Sequence, residues 1–436
     1  MIQSMKILSI ETSCDETAVS LLKAAGEKNK PEFEILGDAL YSQIEKHREF
    51  GGVYPSVAKR EHALNLTPLL EKLLKETNEE IIPENEFIGI EQNIQKEVQE
   101  ILEREPDLFE SFIKYISKIK KPDVDLIAVT SGPGLEPALW VGINFARALS
   151  LVWQIPVIPV NHMEGHITSV LKESNNAEQI SFPAISLLIS GGHTELVLIK
   201  GWGEYEIIGR TKDDAVGEAY DKVARMLDLE YPGGPKISAL ADIARSKIKE
   251  GELDFEKARE DLSISLPRPM IGSNDFDFSF SGIKTAVLYL VKKLKEENGE
   301  GENSDVEKTK ASDKILNEEI KSIVALEFET SVAEVLLKKT KKALEKYDAE
   351  VLIIGGGVIA NKNIRETFSA LQNNDETTNE TTSETGSDSQ TTKVFIPEID
   401  LTTDNSIMIG IAGYLKSFDY DAKINPEIIA EGNLSL

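Results

Sequence analysis

The chain contains one short pattern twice. Residues 6–10 (KILSI) read as an apolar strand, 11–17 (ETSCDET) as a polar turn and 18–22 (AVSLL) as the returning strand. Residues 184–189 (AISLLI), 190–195 (SGGHTE) and 196–199 (LVLI) repeat that order. Two hairpins with small polar tips, each near the start of a half, predict an internal duplication. Between them, the apolar run 125–130 (DLIAVT) enters a Gly-Pro-Gly turn and a helix rich in small residues. A second apolar run at 155–160 follows. Strand, helix, strand is a crossover connection and predicts parallel strands. A chain of 436 residues also exceeds one ordinary hydrophobic core. The expected architecture is therefore α/β in two lobes.

Charge narrows the partners less than its sum implies. The net charge is -27, which by itself argues against a nucleic-acid partner. Three stretches carry -18 of it: residues 78–117, 295–319 and 372–392. These read as inserted segments, so a local basic surface elsewhere is allowed. The single cysteine, Cys14, excludes a disulfide framework and fits a reducing cytoplasm. Neither a membrane-spanning apolar run nor a signal-peptide layout is present, so a cytoplasmic protein without a membrane partner is expected.

Along the chain, residues 38–75 are expected to be mostly helical, interrupted by FGGVYP at 50–55. Leu64, Leu66, Leu69, Leu70, Leu73 and Leu74 supply an apolar helical face. Residues 78–117 read as an added charged helical insert. Residues 213–227 form an amphipathic helix with Asp213 and Asp214 at its start. Phe276, Phe278 and Phe280 alternate as in a strand, more plausibly for packing than for base stacking. Residues 298–313 are a polar linker, 320–347 a long helix, and 372–392 a low-complexity disordered segment. The expected domains are 1–170, 171–400, and a closing segment 401–436 that returns to the first lobe.

The chemistry-bearing residues are few. His162 and His166, in PVNHMEGHIT, stand at i and i+4 where a strand empties into a helix. That spacing puts both imidazoles on one face, as two nitrogen ligands of one metal ion require. Polar surface or a satisfied core pair is the plainer reading of the same spacing. Glu164 points elsewhere, so this is not the H-E-x-x-H pattern of a zinc protease. Asp404, before the last helix, is either an N-cap or a third, oxygen ligand. Two histidines and a carboxylate suit a catalytic ion such as ferrous iron or zinc. SGGH at 190–193 and GGG at 355–357 are glycine turns able to approach a phosphate. Cys14 is a weak nucleophile candidate with no assigned histidine partner. His47 and His62 flank a Gly-Gly loop and are expected to be structural or substrate-facing.

Taken in order, IETSCDET, GGVYPSVAKREH, SGPGL, NHMEGH, SGGHTEL, DDAVGEAYDKVARML, YPGGP, FSFSG, GGGVIAN and TDN resemble the tRNA N6-adenosine threonylcarbamoyltransferase family, formerly called O-sialoglycoprotein endopeptidase. SGGHTEL and FSFSG look like its bacterial branch. The resemblance implies an actin-, Hsp70- and sugar-kinase-like fold with duplicated RNase H-like cores. It implies transfer of a threonylcarbamoyl group from threonylcarbamoyl-AMP to N6 of the adenosine 3′ of the anticodon, position 37, in tRNAs reading codons that begin with A. By the same match, His162, His166 and Asp404 stand at the metal-ligand positions, the ion usually being iron. Leu188, Ile189, Ser190, Gly191, Gly192, Asp221, Gly234 and Asn361 stand at substrate-binding positions. Ser238 stands where some relatives have an acidic residue. The partners implied are tRNA, an inactive paralogue subunit and a small ATPase. No covalent enzyme intermediate is needed, because the acyl carbon is already activated by adenylate.

Two other functions share parts of this pattern. A small-molecule kinase would use the same fold without the HxxxH pair. A metalloprotease would rest on HMEGH alone, with its glutamate out of register.

Overall fold

The computed structural model describes residues 4–80, 89–173, 175–297, 316–373 and 392–436. The linker expected at 298–313 lies outside these residues, as does all but the ends of the segment expected to be disordered at 372–392. The chain divides into two compact units. One comprises Met1–Ser181, Lys200–Tyr205 and Pro397–Leu436, the other Phe182–Ile199 and Glu206–Ile396.

The elements run in this order. Strands β1 (Met5–Glu11), β2 (Glu16–Glu27) and β3 (Lys30–Ser42) lead into helices α1 (Ile44–Arg48) and α2 (Pro55–Glu76). Helices α3 (Gln92–Ile101) and α4 (Pro106–Ile116) come next. They are followed by β4 (Leu126–Gly132), α5 (Glu136–Trp153), β5 (Val157–Asn161), α6 (His162–Thr168) and α7 (Asn176–Gln179). Strands β6 (Ala184–Ile189), β7 (Thr194–Gly201) and β8 (Glu204–Arg210) open the second half. Helices α8 (Val216–Met226), α9 (Gly233–Lys249), α10 (Phe255–Asp261), α11 (Ser281–Glu297) and α12 (Glu318–Tyr347) follow. Then come β9 (Val351–Gly355), α13 (Lys362–Asn373), β10 (Lys393–Phe395) and α14 (Ser406–Lys416).

The first sheet has the order β3-β2-β1-β4-β5 and the second β8-β7-β6-β9-β10. In the first, β1 pairs antiparallel with β2 and parallel with β4. In the second, β6 pairs antiparallel with β7 and parallel with β9. The two sheets therefore share one topology, as the duplicated hairpins predict. This is the doubled core of the actin and sugar-kinase fold class.

Strand periodicity explains how the first sheet is covered. Leu8, Ile10, Ile127 and Val129 point to one face and pack with Leu66, Leu70 and Leu73 of α2 and with Ile143 and Leu149 of α5. Ile7, Leu126 and Ala128 point to the other and meet Met408, Ile409 and Ala412 of α14. The leucine face of α2 is as expected except at Leu64, which is 42% exposed. In the other unit, Phe276, Phe278 and Phe280 are all buried in the core.

Three local expectations need correction. Residues 38–42 continue β3 and are not helical. The acidic insert is helical as expected but narrower than 78–117, its helices being α3 and α4, and residues 81–88 within it lie outside the described set. Asp213 and Asp214 precede α8 without starting it. Asp213 instead accepts hydrogen bonds from the Phe280 and Ser281 amides (2.8 and 3.2 Å) and so caps α11.

Candidate functional site

Helix α6 is seven residues long and wholly buried. Asn161 caps it, its Oδ1 accepting from the Met163 and Glu164 amides at 2.8 and 3.3 Å. The i, i+4 spacing places the His162 and His166 rings together, with centroids 4.7 Å apart and planes at 86°. Glu164 leaves by another face, where it accepts from the Tyr205 hydroxyl at 3.2 Å. A protease-type base is therefore not delivered to the histidines.

Asp404 reaches the same point from the far end of the sequence. Helix α14 lies against the sheet because Gly410 has no side chain. A Cβ there would sit 2.0 Å from Leu22 Cδ2 and 3.0 Å from Ser9 Oγ. The N-cap of α14 is Asn405, whose Oδ1 accepts from the Met408 amide at 2.9 Å. Asp404 is thus relieved of the capping role. Its Oδ1 lies 3.2 Å from His162 Nε2 and 3.3 Å from His166 Nε2. One ligand atom from each of the three residues lies within 4.8 Å of the others. Ligand atoms at ~2.1 Å around a tetrahedral ion are about 3.4 Å apart, and the two distances to Asp404 match that spacing, so the three residues could hold a metal ion.

The electrostatics suit Asp404 and His166 as ligands, whereas His162 must give up a proton to bind an ion. Burial raises the Asp404 carboxyl, but the two imidazoles outweigh it and hold the carboxyl well below the usual carboxylate range. Burial pushes His166 down, keeping it neutral and a ligand. His162 is pulled the other way, with Asp404 and Glu11 overcoming its burial. Glu11 was not singled out from sequence. Its carboxylate is fully buried, and Oε2 lies 3.1 Å from His162 Nδ1. It also accepts from Thr130 Oγ1 and from the Ser13 amide, both at 2.5 Å. Ser13 Oγ stands 3.2 Å from the same Nδ1. The available signal was a charged residue closing an otherwise apolar strand.

Cys14, His47 and His62 have other roles. Burial pushes the Cys14 thiol well up, against nucleophilic use. His62 donates from Nε2 to the Cys14 carbonyl (3.1 Å) and meets Thr17 Oγ1 at Nδ1 (2.7 Å). His47 accepts from the Tyr54 amide at Nδ1, 3.2 Å away. Both hold the wall of the first hairpin tip.

In the second unit, Leu188 and Ile189 are buried in β6. Ser190 closes the tip, its Oγ accepting from the His193 amide at 3.1 Å and its carbonyl from Gly217 at 3.2 Å. Gly191 and Gly192 are exposed, with open space where side chains would stand. Gly356, at φ +94°, packs so closely on Ile189 that a Cβ would lie 2.5 Å from its carbonyl oxygen. Asp221 Oδ1 accepts from the Gly233 amide at 2.7 Å, and Gly234 follows with free space above it. Asn361 is drawn inward. Its Nδ2 donates to Glu329 Oε1 (2.6 Å) and Ser238 Oγ (2.7 Å). Glu329, another residue missed from sequence, is fully buried and also bound by Arg245 and Ser238. Its signal was an acid inside an apolar helical run.

Comparison with known proteins decides the family. The profile of TsaD, tRNA N6-adenosine threonylcarbamoyltransferase, matches residues 34–82 and 102–411. The chain belongs to this family. A relative of that name from Persephonella marina is 38% identical over 413 residues, covering 94% of this chain and 90% of its own. One from Staphylococcus carnosus is 36% identical over 431 residues, covering 99% and 95%. One from Bacillus cereus (strain ATCC 14579) is 36% identical over 411, covering 93% and 90%. As a member of the threonylcarbamoyltransferase family, the chain is a tRNA-modifying transferase. All of α3 falls in the interval 83–101 that the profile leaves unmatched. No helix among the described residues is long and apolar enough to cross a membrane.

Proposed function

We propose that this transferase moves a threonylcarbamoyl group from threonylcarbamoyl-AMP to N6 of the adenosine 3′ of the anticodon, position 37. The observation that carries the site assignment is the arrival of Asp404 within 3.3 Å of both His162 Nε2 and His166 Nε2. A divalent ion held by these three residues, iron or zinc, supplies Lewis-acid polarisation when bound. The backbone amides of Gly191 and Gly192 take the adenylate phosphate, because both leave open space above a turn that the Ser190 amide closes by donating to the His193 carbonyl. Leu188 and Ile189 fix that turn to the sheet. Asp221 and Gly234 shape the turn beside α9, and Asn361 would reach the nucleoside by exchanging its inward bonds to Glu329 and Ser238 for it.

The adenosine N6 amine attacks the threonylcarbamoyl carbonyl carbon. The C–N bond forms, the C–O bond to phosphate breaks, AMP leaves, and the amine loses one proton. Since the leaving group is already good, positioning supplies much of the rate. An inactive paralogue subunit and a small ATPase assist in solution.

The test supplies threonylcarbamoyl-AMP, unmodified tRNA and those two partners to wild type and to His166→Ala. Nucleoside mass spectrometry should find threonylcarbamoyladenosine only with wild type. Equal product from both proteins refutes the role of the metal site. Product from neither refutes the activity with these partners.

A further inference from the structure

A transferase with a net charge of -27 still has to hold a polyanion, so the place where it does so must be local. The loop between α1 and α2 has the required chemistry. Phe50 and Tyr54 are 53% and 52% exposed, yet they stack on one another with centroids 5.2 Å apart and planes at 19°. Exposed large aromatics lose water contact only when something covers them, and a preformed stack is a platform for another ring. Beside it lies a cavity of about 430 Å³ lined by Lys46, Glu49, Phe50, Ser56, Arg60 and Glu61, with Val57. Lys46 and Arg60 are exposed at its rim, Arg60 with its guanidinium 3.9 Å from the Glu61 carboxylate, and both can reach a phosphate there. Glu61 is buried and held by Tyr41 at 3.3 Å. With Glu49 it offers acceptors to a base amino group.

The platform is fixed in place. The Phe50 amide donates to the His47 carbonyl at 3.0 Å, and the Tyr54 amide to His47 Nδ1 at 3.2 Å. His47 Nε2 stands 3.2 Å from Gln43 Oε1. The Gln43 amide in turn donates to the Asp15 carbonyl at 2.9 Å, in the hairpin tip that also carries Glu11 and Ser13. The aromatic pair is therefore tied by three links to the wall of the metal centre.

We propose that Phe50, Tyr54 and the cavity rimmed by Lys46 and Arg60 bind unpaired bases of the tRNA anticodon loop. Stacking on Phe50 supplies affinity without demanding a particular base. The two cations take the flanking phosphates. This inference rests on the tRNA reading above.

The experiment measures binding of a fluorescently labelled, unmodified anticodon stem–loop RNA to the full-length, metal-loaded protein by anisotropy at several salt concentrations. Phe50→Ala/Tyr54→Ala should weaken binding about 5- to 150-fold, the range for loss of one stacked base. Lys46→Ala/Arg60→Ala should weaken it and lower the salt slope by about 1.4, two phosphate contacts on a single strand. In the modification assay the KM for tRNA should rise while kcat at saturating tRNA stays within about twofold. Bound metal should be unchanged. If the double alanine variant melts early, Phe50→Leu/Tyr54→Leu keeps apolar bulk, removes the rings and should show the same loss. Wild type binding RNA with all variants equal to it overturns this inference alone. Variants that bind RNA normally but no longer associate with the paralogue subunit overturn it in favour of a protein-docking loop. Wild type that neither binds nor modifies tRNA overturns both readings.

Discussion

Glu11 Oε2 lies 3.1 Å from Nδ1 of His162, on the opposite side of the ring from the Nε2 that faces Asp404. A carboxylate behind a ligand histidine fixes both the ring's orientation and the nitrogen left to bind. Glu11→Ala is therefore expected to weaken metal binding about 10–100-fold with the fold intact. Titration against a chromophoric chelator, without substrate, checks this. Unchanged affinity would show that the Ser13 hydroxyl suffices to orient the ring.

His62 makes stability depend on pH. Burial lowers its pKa to about 4. Thr17 and Gln43 also approach Nδ1, at 2.7 and 3.2 Å, and a proton there would disrupt that arrangement. Unfolded histidine titrates near 6.5. Between roughly pH 6.5 and 4 the unfolded chain binds a proton that the folded chain refuses, so stability falls as the pH drops through that window. The full effect is on the order of 3 kcal/mol. Urea unfolding at pH 7 and 4.5 should show a shallower loss in His62→Gln than in wild type.

Gly356→Ala puts a methyl group 2.5 Å from the Ile189 carbonyl oxygen at a backbone φ of +94°. Neither backbone can yield cheaply, so a loss of about 2–4 kcal/mol is expected. The distortion should also reach the turn at Ser190, raising the KM for the adenylate. A melting temperature within a degree of wild type would contradict this.

Asn405→Ala removes the cap of α14 and should cost about 1 kcal/mol. Because Asp404 precedes the cap, its carboxylate should lose its fixed position, and metal affinity should fall along with stability. Asn405→Asp keeps the capping oxygen but loses the Nδ2 bonds to the Thr403 and Leu401 carbonyls, so it should restore stability only in part and metal affinity less. Restored stability without restored metal binding would separate the two effects.

Much of the fold was legible because apolar runs and glycine turns have few alternatives. The two hairpins, the crossover through α5 and the helical pairing of His162 with His166 are all local patterns. What escaped is non-local or polar. Strand β3 is an edge strand with both faces partly exposed, so its alternation is faint and its end at 38–42 resembled a helix start. Asp404 read equally as a cap or a ligand until geometry gave the cap to its neighbour Asn405, which the sequence reading had not considered. Glu11 and Glu329 announce themselves only as acids in apolar surroundings. Nothing in the sequence states that the first would sit behind a histidine and the second behind Asn361. Asp213 was placed at a helix start, correctly in kind, but the helix it caps begins at Ser281.

The unit that carries His162 and His166 is finished by the last stretch of the chain. Asp404 is translated about 240 residues after His166, or about 10–50 s later at ~5–20 residues per second. Throughout that interval the nascent protein has two imidazoles and no carboxylate to join them. On the proposed metal role, a ribosome-bound or prematurely ended chain lacks one of the three donors, and tight capture of an ion would wait until the closing segment has been made.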